Sequence, residues 1–172
     1  PKSAEHAIAQ LRRDAPKAGI ATISGRYYAM DRDSRWERIA KAYDALVLAR
    51  GETATDAQAA IATSYRNGIT DEFLLPTVLG DYRGMKDGDG ILMSNFRADR
   101  ARQLLTALTD DAFTGFARTT QVRFAATLGM VEYSVALAHI PCLFPQENLR
   151  ETLGELVANA GMKQLRIAET EK

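Results

Sequence analysis

Four arginines that follow two strand-like segments are the residues best suited to do chemistry in this sequence. Arg26 and Arg32 lie in the stretch GRYYAMDRD, and Arg97 and Arg100 lie in NFRADR. Residues three apart on a helix share one face, so Arg97 and Arg100 can contact one ligand from a first helical turn, where free N–H groups also attract anions. Guanidinium groups bind carboxylate and phosphate through paired hydrogen bonds. The pattern therefore predicts a site for a small, multiply charged anion.

Both arginine pairs also have an interpretation that needs no ligand. Asp31 and Asp33 can neutralise Arg32 in an ordinary surface loop, and such pairs stabilise little. Asn95 and Asp99 suit a solvated helix start, with Asn95 as the cap. Taken together, arginines from two strand ends in a neutral chain favour the anion site over these alternatives.

The overall composition limits the classes of protein that fit. The 172 residues are 46% hydrophobic and 26% charged, which suits a globular domain with one core. Lys plus Arg equals Asp plus Glu at 22 each, so we rank nucleic-acid binding last and expect no attraction to an anionic membrane. No run is long enough to span a membrane, and we expect a soluble, cytoplasmic protein.

The sequence contains no complete catalytic set of residues. His6 and His139 are its two histidines, which is too few for a histidine cluster at metal-ligand spacing. The glycine motifs of hydrolase nucleophiles, phosphate loops and dinucleotide sites do not occur. Two functional hypotheses remain open from the residues alone, namely the substrate-holding part of an enzyme and a non-catalytic anion-binding module.

Segments of helical and strand-like periodicity alternate along the chain and must position the arginines. Helices are predicted at 4–11, 36–47, 56–65, 97–108 and 149–157. Gly51 is the predicted stop signal of the second helix, Thr55 or Asp56 the N-cap of the third, and Gly161 the C-cap of the last. Strands are predicted at 19–25, 72–80, 91–96, once or twice in 122–140, and at 163–170. Pro76 suggests an edge strand or a bulge, and the turn residues of 81–90 suggest a hairpin between 72–80 and 91–96. The predicted fold class is α/β with a mixed β-sheet flanked by helices.

Four long strings in this chain resemble a known family. GRYYAMDRDSRW, YRNGITDEFLLP, NFRADRARQL and LRIAETEK are similar, in order and approximate spacing, to the cofactor-independent (2,3-bisphosphoglycerate-independent) phosphoglycerate mutases. The resemblance covers essentially the whole chain. It implies an isomerase that interconverts 3-phosphoglycerate and 2-phosphoglycerate in glycolysis and gluconeogenesis through a phosphoserine intermediate. It also implies a two-domain monomer, in which an alkaline-phosphatase-like domain holds two metal ions, usually Mn²⁺, and an inserted domain holds the substrate.

By this resemblance, the chain is part of the inserted domain. Residues 1–144 would form most of the substrate-binding domain, and residues 145–172 would return into the metal-binding phosphatase-like domain. The serine nucleophile and the ligands of both Mn²⁺ ions would lie outside the chain, which would be inactive alone and would need no 2,3-bisphosphoglycerate. The implied partner is 2- or 3-phosphoglycerate, with no nucleic acid and no membrane.

The resemblance also assigns roles to individual residues. Arg26 and Arg32 match the two arginines of the family's loop, and Arg97 and Arg100 match its helix-start pair, so all four would bind substrate phosphate and carboxylate. Lys172, at the end of AETEK, matches a lysine that reaches the phosphoryl group and would be the catalytic residue of this chain.

Overall fold

The computed structural model describes residues 2–147 and 149–167. Its helices are α1 (Ala4–Asp14), α2 (Arg26–Ala29), α3 (Trp36–Leu48), α4 (Ala57–Arg66), α5 (Ala98–Thr109) and α6 (Leu153–Asn159). Its strands are β1 (Thr22–Ile23), β2 (Glu52–Ala54), β3 (Thr77–Leu79), β4 (Gly90–Met93) and β5 (Ala126–Gly129), and 3₁₀ turns cover Asp71–Phe73 and Val135–Leu137. Within these ranges, no helix combines the length and the apolar character needed to cross a membrane.

The strands of the described residues form two small sheets. In the first sheet, β3 lies between β1, which is antiparallel to it, and β2, which is parallel to it, and Val78 is opposite both Thr22 and Thr53. In the second sheet, β4 and β5 are parallel, with Leu92 opposite Leu128, and α5 makes the crossover that a parallel pair requires. The predicted class, mixed α/β with helices flanking the strands, is confirmed.

Two predictions about strand pairing are wrong. β3 is the central strand of its sheet, and Pro76 lies just before it, where the proline carbonyl accepts a 3.1 Å hydrogen bond from Glu52 N–H. Proline is tolerated at position 76 because this residue precedes β3, so the N–H group that proline lacks is not needed for the hydrogen bonds between the strands. The predicted hairpin does not form, because β4 pairs with β5, which follows it across α5.

The helices follow the predicted periodicity better than the strands do. Within 19–25 the strand is only Thr22–Ile23, and β2 was not predicted because ETA has no alternation of apolar residues. The range 122–140 contains one strand, β5, followed by a 3₁₀ turn. Residues 163–167 do not form the predicted strand, and 168–170 lie outside the described residues.

Helix α5 is held by apolar contacts on two sides. Its residues Leu104, Ala107 and Leu108 pack with Ile39, Tyr43 and Val47 of α3 and with Val122, while Ala101 and Leu105 pack with Tyr133, Leu137 and Ile140. Burying a side chain of this kind contributes about 1.5–3 kcal/mol. The Tyr133 hydroxyl also lies 2.9 Å from the carbonyl oxygen of Met93 and 2.8 Å from that of Asn95. The segment that enters α5 therefore has a fixed position.

Helix α4 begins as predicted, because the Asp56 carboxylate accepts a 2.9 Å hydrogen bond from Ala59 N–H. A second carboxylate, that of Asp71, joins α4 to the start of α1. It accepts hydrogen bonds from the Ser3 amide, at 2.8 Å, and from the Tyr65 hydroxyl. Burial raises the pKa of Asp71, but the hydrogen bonds from Tyr65 and Ser3 outweigh it, so the pKa lies below its usual value.

The segment 149–167 exposes its apolar side chains. Helix α6 starts at Leu153, later than predicted, with a capping box between Thr152 and Glu155, and contains no buried residue. Leu153 is 69% exposed and Leu165 is 84% exposed. The apolar face predicted for this helix therefore has no covering layer among the described residues.

Candidate functional site

The first half of GRYYAMDRD is the short helix α2 rather than a loop. Gly25 precedes it, and its N–H donates to the carbonyl of Leu74 at 2.8 Å. A Cβ at this position would collide with the carbonyl of Glu72, so the close approach requires glycine. This packing fixes the point at which Arg26 leaves the backbone.

Asp31 organises the second half of this stretch, the loop between α2 and α3. Its side chain is buried, and Oδ2 accepts hydrogen bonds from the N–H groups of Asp33 and Arg35, both at 3.0 Å. Its Oδ1 lies 3.3 Å from Arg38 Nη1, and the Arg38 guanidinium stacks on the Tyr27 ring at 3.8 Å. The interpretation that Asp31 neutralises Arg32 is therefore wrong, because Asp31 anchors the loop backbone.

Two of the four predicted arginines, Arg32 and Arg97, meet at Asp99 at the start of α5, and a third, Arg100, lies one residue further along the helix. Arg32 Nη1 lies 3.1 Å from Asp99 Oδ2, while Arg97 contacts the same carboxylate through Nε at 2.9 Å and Nη2 at 3.3 Å. Arg100 Nη1 donates to the carbonyl of Met30 at 2.8 Å. Hydrogen bonding from Arg97, followed by that from Arg32, holds the pKa of Asp99 below its usual value despite partial burial. The arginine cluster thus consists of two guanidiniums on one ionised carboxylate, with Arg100 bonded to the backbone of the same loop.

The fourth arginine lies apart from this cluster. Arg26 forms a 3.2 Å ion pair with Glu72, and its side chain is 51% exposed. Among the described residues, no hydrogen bond or ion pair joins it to the other three arginines. Lys172, the predicted catalytic residue, lies outside the described residues.

An open cavity of about 540 Å³ adjoins Arg32 and Asp99, and its described lining residues do not include Arg97 or Arg100. Its lining consists of Arg32, Asp33, Ser34 and Trp36 on one side and Asp99, Arg102, Gln103 and Thr106 on the other. The second group was not predicted, although the spacing 99, 102, 103, 106 marks one polar face of an otherwise apolar helix. Ser34 has a left-handed backbone, with φ of 58°, a strained conformation that is more common at functional sites.

The described acidic side chains near the arginine cluster are not arranged as metal ligands. Among residues 2–147 and 149–167, no group of three or more His, Cys, Asp or Glu side chains is arranged to hold a metal ion. These residues therefore do not fit a di-metal centre, and the placement of Mn²⁺ outside the chain stays a prediction.

Fold and cavity together define a mixed α/β unit with a polar cleft, whose lining includes Arg32 and Arg102 as well as Asp33 and Asp99. Residues 1–135 match the sequence model of the family described as BPG-independent PGAM N-terminus, and the chain belongs to this family. It is 54% identical over 174 aligned positions to the 2,3-bisphosphoglycerate-independent phosphoglycerate mutase of Rhodopseudomonas palustris, and 53% identical to that of Agrobacterium fabrum. Each match covers 100% of this chain and 34% of the relative, so the chain spans about a third of the length of these proteins.

A solved structure gives the same result at the level of the fold. The crystal structure of Leishmania mexicana phosphoglycerate mutase at low cobalt concentration superposes with a TM-score of 0.69 and 28% sequence identity. The match covers 92% of this chain and 31% of that one. The family assignment therefore has support from both sequence and structure.

Proposed function

We propose that the full-length protein containing this chain is a 2,3-bisphosphoglycerate-independent phosphoglycerate mutase. It would interconvert 3-phosphoglycerate and 2-phosphoglycerate, as the names of the relatives suggest, and this chain would supply most of the substrate-binding domain. The observation that carries the proposal is the convergence of Arg32 and Arg97 on Asp99, with Arg100 bonded to the same loop, beside an open cavity.

The arginine cluster suits a phosphorylated carboxylate. Arg32 and Arg97 share the single carboxylate of Asp99, which leaves one positive charge uncompensated within this group at the N-terminus of α5, where the helix dipole adds to the attraction for an anion. During a phosphoryl transfer, such groups hold the carboxylate and neutralise charge that develops on the transferred group. We assign Arg97 and Arg100 to the clamp that retains glycerate while its phosphoryl group is on the enzyme.

Arg26 would reach the substrate only when the two domains of the full-length protein close. Among the described residues its one ion pair is with Glu72, the two side chains are 51% and 34% exposed, and surface pairs of this kind stabilise by roughly 0–1 kcal/mol. The Arg26 guanidinium can therefore exchange Glu72 for a substrate oxygen at little cost. Closure of the two domains would bring it to the substrate and exclude the water that would otherwise hydrolyse phosphoserine.

The proposed division of domains places residues 1–144 in the substrate-binding domain and 145–172 at the return into the phosphatase-like domain. The exposed leucines of 149–167 support this division, because a layer from elsewhere in the protein would cover them. Lys172 would then approach the phosphoryl group from the phosphatase side.

The nucleophile and the metal ions would be supplied by the rest of the protein. Two Mn²⁺ ions and the serine nucleophile would lie in the phosphatase-like domain, where metal would activate the nucleophile and offset phosphoryl charge. The name of the Leishmania mexicana structure mentions cobalt, which supports a divalent metal but does not identify it. The enzyme would be a cytoplasmic monomer that serves glycolysis and gluconeogenesis.

The test uses the full-length protein, 3-phosphoglycerate, Mn²⁺ and no 2,3-bisphosphoglycerate. We expect turnover that a chelator abolishes, and a drop of roughly 100-fold in kcat/KM for Arg97→Ala, which equals about 2.7 kcal/mol of transition-state stabilisation. Arg66→Ala, at the end of α4 and away from the cavity, is the matched control and should leave the kinetics unchanged.

Two results would contradict the proposal in different ways. Unchanged kinetics in Arg97→Ala would remove Arg97 from the site while leaving the mutase assignment in place. A folded, metal-loaded protein without turnover would overturn the assignment itself. In that case the second candidate, a non-catalytic anion-binding module, would apply, with Arg32 and Arg97 as its anion-binding groups.

A further inference from the structure

Asp99 contacts two guanidiniums that come from different parts of the fold. Arg32 belongs to the loop between α2 and α3, and Arg97 directly precedes α5. We propose that Asp99 is a positioning residue, which holds Arg32 and Arg97 at a fixed separation so that their remaining N–H groups bind the substrate anion together. This inference rests on the proposed function and assigns a role to a residue that is not itself expected to touch the substrate.

The geometry of the carboxylate supports this role. A single oxygen, Oδ2, contacts both Arg32 Nη1 at 3.1 Å and Arg97 Nη2 at 3.3 Å, and Oδ1 contacts Arg97 Nε at 2.9 Å. Two guanidiniums this close repel each other unless an anion lies between them. The two bonds to Arg97 also fix the plane of its guanidinium.

Part of each guanidinium stays available for a ligand. Within the described part of the chain, the bonds to Asp99 use one nitrogen of Arg32 and two of Arg97. Nε and Nη2 of Arg32 and Nη1 of Arg97 therefore have no acceptor among these residues. Asp99 and Arg32 both line the cavity, so the shared carboxylate lies at its wall.

Asp99 is itself held in place. It is the second residue of α5, where the helix dipole stabilises a negative charge, and its side chain is only 19% exposed. The loop and the helix are also joined without it, because Arg100 donates to the carbonyl of Met30. Replacing Asp99 should therefore release the two arginine side chains while the backbone around them stays in place.

Charge alone would have the opposite effect when Asp99 is replaced. A carboxylate near an anion site repels the anion, so its removal would strengthen binding if charge alone mattered. The positioning role predicts weaker binding, because the guanidiniums would separate and adopt many rotamers that have to be ordered on binding. Charge alone predicts tighter binding of the anion after Asp99 is replaced, and the positioning role predicts weaker binding. The affinity of an Asp99 variant for the anion therefore separates the two explanations.

The experiment compares Asp99→Asn and Asp99→Glu in the full-length protein. Asp99→Asn removes the charge at constant size, and Asp99→Glu keeps the charge but moves it by one methylene. We expect each to raise the KM for 3-phosphoglycerate about tenfold with kcat changed less than about threefold. Asp56→Asn, which changes the acid at the start of α4, is the control and should have no effect.

A double variant tests whether Asp99 acts through its partner. In an Arg97→Ala background, Asp99→Asn should raise KM by less than about threefold, because one of the two guanidiniums that Asp99 holds together is gone and no separation between them is left to fix. An unchanged or lower KM in either single variant, or full additivity in the double variant, would overturn the positioning role. Circular dichroism confirms folding, and if Asp99→Asn does not fold, Asp99→Glu decides by the same criteria.

Wild-type turnover, measured first, separates this inference from the proposed function. If the wild-type protein shows no turnover, the proposed function has failed, and the same variants are titrated with inorganic phosphate by calorimetry. A roughly tenfold weaker Kd in Asp99→Asn and Asp99→Glu would then still support the positioning role for an anion site. Equal or tighter phosphate binding, or no binding by wild type, would overturn it.

Discussion

The replacement Asp31→Asn should release the loop that carries Arg32. The Asp31 carboxylate accepts two backbone N–H groups through Oδ2 and faces the Arg38 guanidinium through Oδ1. An asparagine has one acceptor oxygen, so its NH₂ group must face either the two N–H donors or the guanidinium. Leaving buried donors unpaired and breaking a largely buried ion pair should destabilise the local structure by about 2–4 kcal/mol.

Hydrogen exchange on the full-length protein measures this effect directly. If the loop amides exchange by local opening, a loss of about 2–4 kcal/mol accelerates them roughly 30- to 700-fold. Mass spectrometry of a peptide covering 27–40 gives the rates for Asp33 and Arg35. Asp33→Asn, an exposed neighbour in the same loop, is the control and should change rates less than about threefold. Equal rates in Asp31→Asn and Asp33→Asn would refute the assigned role of Asp31.

Two further predictions concern stability elsewhere in the fold. Because the folded-state pKa of Asp71 is lowered, its stabilisation of α1 is complete above the unfolded value of about 3.9 and is lost as pH falls through the folded pKa. Amide exchange in α1 should therefore accelerate below about pH 4 in wild type, and much less in Asp71→Asn. Gly84→Ala should lower the free energy of unfolding by about 3 kcal/mol, because φ is 89° and the new Cβ would collide with the carbonyl of Val47. Gly88→Ala, with φ of 91° and open space, should lower it by only about 1 kcal/mol, and urea unfolding of both variants decides.

Local sequence signals predicted the helices well. The apolar stripe of α3 and that of α5 exist because each helix packs one face against the other, and periodicity records that directly. The cap at Asp56 and the left-handed Gly161 after α6 depend on residues within one turn, so they too are visible in the sequence. Gly51 was the wrong stop signal, because α3 ends at Leu48 and Ala49 adopts the left-handed conformation.

Features that depend on distant residues could not be predicted in the same way. β4 pairs with β5 although α5 separates the two strands in sequence. The periodicity within each segment does not indicate which strands pair across a helix. The meeting of Arg32 with Arg97 depends on how the loop lies against α5, and the sequence indicated only that both follow strand ends. The pair of Arg32 with Asp99 was not predicted because the two residues are far apart in sequence, and Asp31 pairs with Arg38 rather than with the adjacent Arg32.

The hydrogen bond from Arg100 to the carbonyl of Met30 limits which substitutions are tolerated at position 30 less than a side-chain contact would. A carbonyl is present in every amino acid, so this contact specifies the backbone at position 30 and leaves the side chain unspecified. Proline is the exception, because Met30 N–H donates to the carbonyl of Arg26 at 3.0 Å. In a library of variants at this position, we expect retained function for many side chains and loss for proline. Position 30 can therefore differ between functional sequences while Arg100 stays engaged.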